Sequence, residues 1–400
     1  MFGLESTGNP HHLLKPKSSF YTSQRLGLTH TGKHKKVMQL VRITEDKVDV
    51  NDPRFGEKRL FRGKTYLMHD VLAQTIVGKK WGIIRGDDRA LPLLSKSALT
   101  RNVHQQKLLV IFEGGLGDAI SVAVLLILMA KKYNLSIDIA CHYHTWRYVF
   151  VPMGFTGNRL DFPVEIRRIA KYHYVQPDLT AFILDKTEKW RRCIMEELGS
   201  AYGVDMSTFS GTYSIPPHIL QRMKLPQKNE IHVGICFESK GKLRSYPDDL
   251  ALRLLCGLVQ MGFEVYHLGT RPNAAVEGLQ LRGYYNYLGK TDIFELAALI
   301  KQMDFVIGMD SFPVHLSNIL GIRTLALLST TLPGIYRCHK NVRCMQSEIE
   351  CTPCGEVMDK CPYGYDTCKA FYHPSISPER ILGKVICECA DLFKFKLKSA

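Results

Sequence analysis

Residues Asp304 to Ser329, DFVIGMDSFPVHLSNILGIRTLALLS, leave few folds open to this chain. Two short apolar runs, Phe305-Val306-Ile307 and Thr324 to Leu328, flank a segment in which Leu316, Ile319 and Leu320 recur at helical spacing. Gly321 stands where a helix stop is expected. The order predicts strand, tight loop, helix, strand. Runs without apolar-polar alternation fit a buried parallel sheet, so the stretch reads as a βαβ unit with its ligand crevice beyond the carboxyl end of the first strand. Asp310, Ser311 and His315 fall at that end. A hydroxyl, backbone N–H groups and an imidazole at a helix N-terminus suit a phosphate or diphosphate. A plain helix cap by Asp310 or Ser311 is the alternative.

The same alternation extends in both directions. From Lys107, LLVIF reads as a buried strand, EGGLGD as a Gly-rich loop, AISVAVLLILMAKKY as a helix and SIDIACH as the next strand. A further helix is expected in LDKTEKWRRCIMEELGSAYG. PPHILQRMKLPQKNE, with prolines at 216, 217 and 226, reads as a linker. A second α/β series opens at IHVGICF and runs through LALRLLCGLVQMG, FEVYHLG and DIFELAALIKQM into the βαβ unit; the tail ISPERILGKVICECADLFKFKLK reads as a closing amphipathic helix. Upstream, VMQLVRI, KVDV, KRLF, KTYLM and WGIIRG are strand-like runs, with a helix in HDVLAQTIVG. The expected organisation is a basic tail without packed structure over 1–36, a small β-rich module and linker over 37–106, and two α/β lobes over 107–225 and 226–400.

Three motifs fall at strand ends. Glu113-Gly114-Gly115-Leu116-Gly117-Asp118 follows the first strand of the first series, where Gly114, Gly115 and Gly117 allow a tight turn and close approach to a ligand, and Asp118 opens the helix. The spacing is not GxGxxG, which argues against dinucleotide binding. Glu238 to Pro247, ESKGKLRSYP, follows the first strand of the second series and puts Lys240, Lys242 and Arg244 where an anionic diphosphate would lie. The third motif is Asp310 to His315. As isolated signals, a capping carboxylate and a basic surface loop are the structural alternatives for the first two.

Together, over about residues 107–385, these motifs resemble glycosyltransferase family 9, the heptosyltransferase family of lipopolysaccharide assembly. The resemblance implies a GT-B fold, two doubly wound Rossmann-like lobes with a cleft between them, the first on the acceptor side and the second on the nucleotide-sugar side. Leu116-Gly117-Asp118 approximates the family's Gly-x-Gly-Asp turn, which implies that Asp118 is the base. Arg244-Ser245-Tyr246-Pro247 matches Lys-x-Trp-Pro, so Arg244 inherits the lysine's phosphate contact. Gly289-Lys290-Thr291 with the following ELAALI, and Asp310-Ser311-Phe312-Pro313-Val314-His315, have family counterparts, as does the cysteine run ending at Cys368-Lys369. Arg244, Tyr246 and Phe312 depart from the family's lysine, tryptophan and glycine. The implied activity is inverting transfer of a sugar, heptose by family weight, from an ADP-sugar or other nucleotide-sugar to a glycan, glycolipid or protein. Such chemistry needs a base on one side of the anomeric carbon and stabilisation of the leaving diphosphate on the other. Cationic side chains could fill the second role, so no catalytic metal is expected. The rival reading is a non-catalytic nucleotide- or glycan-binding protein that retains the fold.

Eight of the twelve cysteines lie after residue 337. Cys351, Cys354, Cys361 and Cys368, with two turn prolines among them, have the donor set of a structural zinc or iron site. Reduced free cysteines and disulfides are the alternatives. His142 and His144 follow a strand with no third ligand evident, and read as polar loop residues on the acceptor side. Residues 1–107 hold 20 Lys and Arg against 9 Asp and Glu, a surplus of +11 out of the net +15. That segment suits an anionic acceptor or peripheral membrane association. Nucleic acid is disfavoured, because the cysteine cluster lacks interleaved basic and aromatic residues. The N-terminus lacks the pattern of a secretory signal and no apolar run approaches the roughly 20 residues of a membrane span, so a cytoplasmic location, extending to the inner membrane face, is expected.

Overall fold

The computed structural model describes residues 38–52, 56–85, 91–95, 98–99, 105–179, 193–226, 230–269, 276–354 and 361–392. The expected basic tail over 1–36 and the first part of the candidate helix, residues 184–192, lie outside the described residues.

The second series forms a six-stranded parallel sheet. Its strands are β11 (His232–Cys236), β12 (Glu264–His267), β13 (Tyr284–Asn286), β14 (Phe305–Met309), β15 (Arg323–Leu328) and β16 (Val342–Gln346), in the order β13-β12-β11-β14-β15-β16. Every residue of β11 and β14 is buried, as expected of runs apolar on both faces. The chain winds outward from β11 in one direction and from β14 in the other. These two strands therefore flank the topological switch point, where α/β sheets open their ligand crevice. The loops leaving them are Glu238 to Tyr246 and Asp310-Ser311.

The first series forms a smaller parallel sheet of β6 (Lys107–Ile111), β7 (Ser136–Ala140), β8 (Arg159–Leu160) and β10 (Tyr174–Gln176), in the order β10-β6-β7-β8. One of its faces packs on the long helix Leu116–Tyr133, which ends at Asn134 in the left-handed region with Lys131 and Lys132 in its last turn. The other face is covered by strands. β1 (Met38–Ile43), β4 (Thr65–His69), β5 (Gly82–Arg85) and β9 (Val164–Glu165) make an antiparallel sheet, and β2 (Lys47–Asp52) pairs with β3 (Gly56–Phe61) as a separate hairpin. The four-stranded sheet's core residues Leu40, Leu67 and Val164 join Leu109, Ile111 and Ala140 in one apolar cluster. β9 comes from the first series itself, so the β-rich module is woven into the lobe. Apolar residues on both faces of β6 are equally compatible with helices or a second sheet as cover, and the sequence pattern carries no mark of which.

A single apolar cluster also spans the two lobes. It joins Leu125 and Met129 of the helix Leu116–Tyr133 to Leu296, Leu299 and Met303, and to Leu316 of the helix Phe312–Ile319. The long helix is buried over most of its circumference for this reason: one side meets its own sheet and another meets the second lobe. The segment that reads as a linker contains a six-residue helix, Pro217–Arg222, begun by proline at its first position. It docks on the second lobe through Arg222–Glu295 at 2.6 Å, and Gln302 accepts from Leu225 N at 2.9 Å. Glu295 also completes a capping box with Asp292 at the start of the helix Ile293–Ile300.

Candidate functional site

The helix Leu116–Tyr133 starts directly after the Gly-rich loop, and Asp118 stands exposed in its first turn. Its Oδ2 accepts from Gly115 N at 3.3 Å, and its charge acts on His315 of the second lobe. A β-carbon on Gly114 would come within 2.6 Å of the Phe112 ring, and one on Gly117 within 2.8 Å of His315 Cδ2. The glycines thus serve two close approaches, one inside the lobe and one across the cleft.

From the second lobe, the helix Phe312–Ile319 starts without any side-chain cap: Ser311 Oγ donates instead to Met309 O at 3.3 Å. Phe312 packs its ring against the interlobe cluster. Its bulk therefore goes into apolar surroundings at the very position that departs from the resembled family. Asp310 does not cap either. Its Oδ1 accepts from Tyr336 Oη at 2.7 Å and its Oδ2 from Thr331 Oγ1 at 3.2 Å, with Arg244 Nη1 at 3.5 Å from Oδ2 and donating to the Asp310 carbonyl at 3.2 Å. Asp310 thereby holds Arg244 in place, and Arg244 Nε is buried with no hydrogen-bond partner. Burial, followed by the Asp310 charge, raises the Tyr336 pKa well above its ordinary value, so the phenol keeps its proton and donates it.

Lys240 and Lys242 are exposed on the same loop. The loop is anchored by Tyr246, which is 3% exposed and lies edge-on to Phe371 with ring centroids 5.3 Å apart. His315 Nδ1 lies 3.0 Å from His339 Nε2. Burial depresses the pKa of His315, opposed in part by the charges of Asp310 and Asp118. His339 is pushed down to about 3 by burial and by His315.

The structure therefore brings Asp118, Gly117, Arg244, Asp310, Ser311 and His315 to one place between the lobes. His142 and His144 follow β7 as a local cap, with His142 Nδ1 accepting from His144 N at 3.0 Å. Burial lowers the His144 pKa. Tyr336, Thr331 and His339 were not legible as site residues, because each lies 21 or more positions beyond its partner and only the crossover through β15 returns them to β14.

Cys351, Cys354, Cys361 and Cys368 line one cavity of about 20 Å³, together with Leu243, Thr330, Tyr363, Tyr365 and Lys369. Burial raises the Cys368 thiol to about 11, and the other three cysteines push it the same way. Four sulfurs around one small space are the donor types that a zinc or iron ion takes. Among the described residues, no three His, Cys, Asp or Glu side chains stand at metal-ligand spacing. Residues 355–360, within the run, lie outside the described residues.

Two parallel-sheet lobes that face each other across a cleft, with the carboxyl ends of both central strands turned into it, define the GT-B fold of many glycosyltransferases. Residues 188–363 match the family model for glycosyltransferase family 9 (heptosyltransferase). The fold is similar to that of ADP-heptose LPS heptosyltransferase II from E. coli, with 15% identity, a TM-score of 0.53, and 70% of this chain and 98% of that one covered. It is similar to the dodecameric iron-containing heptosyltransferase TibC of enterotoxigenic E. coli in complex with ADP-D-beta-D-heptose, with 13% identity, a TM-score of 0.55, and coverage of 88% and 93%. A family 9 glycosyltransferase from Veillonella parvula gives 14% identity, a TM-score of 0.54, and coverage of 70% and 96%. At such identities the likeness is one of fold. No curated protein sequence matches the chain.

Proposed function

We propose that the protein is an inverting transferase that moves heptose from an ADP-heptose-type donor to a glycan, glycolipid or protein acceptor. The observation that supports it most is the meeting of two helix starts across the cleft, one bearing Asp118 and the other Ser311 and His315 beside Arg244. The heptose and the adenosine diphosphate come from the likeness to TibC, whose structure holds that donor.

In this reading Asp118 takes the proton from the acceptor hydroxyl as it attacks the anomeric carbon, and the nucleoside diphosphate leaves on the opposite side. The departing charge is met by Arg244, by the Ser311 hydroxyl, by His315 and by the uncapped start of the helix Phe312–Ile319. Lys240 and Lys242 add positive potential at the rim. Asp310 acts on this set through Arg244. Cationic groups and a helix N-terminus suffice for the diphosphate, so the transfer proceeds without a divalent ion at the reaction centre. The four cysteines would hold one structural zinc or iron, apart from the reaction. The basic surplus over residues 1–107 would favour an anionic acceptor or the inner membrane face, and a cytoplasmic site of action goes with a nucleotide-sugar donor. Among the described residues no helix is long and apolar enough to cross a membrane.

The test is Asp118→Asn. The amide keeps the cap to Gly115 but is no base, so turnover of ADP-heptose should fall by about 10²-fold or more while donor affinity stays near that of the parent. An Asp118→Asn variant that turns over normally would sink the assignment.

A further inference from the structure

His339 is 3% exposed, held by a turn in which its N–H donates to Tyr336 O at 2.8 Å. Its ring stands edge-on to both Tyr336 and His315, with centroids 5.1 Å apart in each case. Its Nε2 meets His315 Nδ1 at 3.0 Å, and its own Nδ1 is buried with no hydrogen-bond partner. The opposite edge of His315 faces the first lobe: a β-carbon on Gly117 would lie 2.8 Å from Cδ2 and 3.2 Å from Nε2.

We propose that His339 is a positioning residue that fixes the tautomer of His315, placing the His315 proton on Nε2 so that a neutral imidazole donates a hydrogen bond into the cleft. The proposal rests on the reading of that cleft as a diphosphate site. One proton lies between the two rings, and there are two ways to place it. If His315 Nδ1–H donated, neutral His339 would carry its proton on Nδ1, a buried N–H with no acceptor. Orphaned buried N–H groups are rarer than under-satisfied acceptors. If His339 Nε2–H donates, the unpartnered Nδ1 is a bare lone pair and His315 must carry its proton on Nε2. The surroundings agree: Asp118 and Asp310 are the carboxylates acting on His315, and a diphosphate oxygen also needs a donor. Both rings are neutral because burial opposes their charging.

The experiment is ring-¹⁵N NMR of histidine-labelled protein, with ADP titration by calorimetry, on the parent, His339→Leu and His339→Gln. His315 is assigned from a His315→Asn sample. The parent should show His315 with Nδ1 unprotonated and Nε2–H. In His339→Leu the Nδ1–H form should appear and ADP should bind roughly tenfold more weakly, the loss expected for one charge-assisted hydrogen bond. His339→Gln, whose amide can donate in place of Nε2–H, should recover most of both. A parent protein with His315 protonated on Nδ1 overturns the proposal, whatever the variants do. So does a folded His339→Leu variant with unchanged tautomer and ADP affinity. Failure of the parent to bind ADP would instead count against the donor site itself, since the tautomer is read without ligand.

Discussion

Gly117 of the first lobe lies directly against the His315 ring of the second, close enough that the smallest side chain would overlap it at 2.8 Å. The contact joins the first turns of two helices from opposite lobes, Leu116–Tyr133 and Phe312–Ile319. The lobes are thus in register at the point where Asp118 and the diphosphate-side residues must cooperate.

Gly117→Ala is therefore expected to be harmful at a helical position, where alanine ordinarily stabilises by about 1 kcal/mol. The methyl group must push His315 or the lobe away. Misplacement near 1 Å costs reaction rate by up to about 10²-fold. Steady-state kinetics should show kcat/KM reduced at least tenfold, and a variant as active as the parent would contradict so close an approach.

Tyr336→Phe removes the 2.7 Å hydrogen bond to Asp310 and leaves a half-buried carboxylate with one donor fewer. A loss of about 1–3 kcal/mol in urea unfolding is expected. Donor affinity should fall as well, because Asp310 holds Arg244.

Acid should destabilise the fold before its carboxylates titrate. Burial holds the pKa of His339 near 3 and that of His267 near 4, against about 6.5 in the unfolded chain. The unfolded chain binds more protons between these values, so stability rises with pH across that window. The contribution is complete above about pH 6.5 and is lost as pH falls toward 3–4, on the order of a few kcal/mol. Urea melts at pH 7, 5.5 and 4.5 measure the slope, and replacing His267 and His339 with glutamine should flatten it.

The cysteine cluster predicts about one equivalent of zinc or iron in anaerobically purified protein, and a content below about 0.2 counts against the site. Cys354→Ser should lower both metal content and melting temperature. Brief EDTA treatment that leaves the metal in place should leave turnover unchanged.

Much of the molecule was legible one segment at a time. The buried strands β11 and β14, the Gly-rich turn before Asp118 and the basic loop through Arg244 all sit at strand ends, where a local pattern of apolar run, turn residue and helix start is enough to place them. Phe312 departs from the family's glycine at the donor loop, and sequence gives no direction for a side chain at a helix start; the interlobe cluster takes it up. The Pro217–Arg222 helix was hidden by the prolines around it, since proline marks helix starts as well as linkers.

The sequence by itself determined the elements, their alternation and the chemistry available at each strand end, because those depend on periodicity and turn residues a few positions apart. Only the tertiary structure decided which of these groups meet. Asp310 turned out to be held by Tyr336 and Thr331, His315 to lean on His339 and Gly117, and the β-rich module to close one face of the first sheet. Such pairings are made by packing between elements 20 to 200 residues apart, and no local periodicity encodes them.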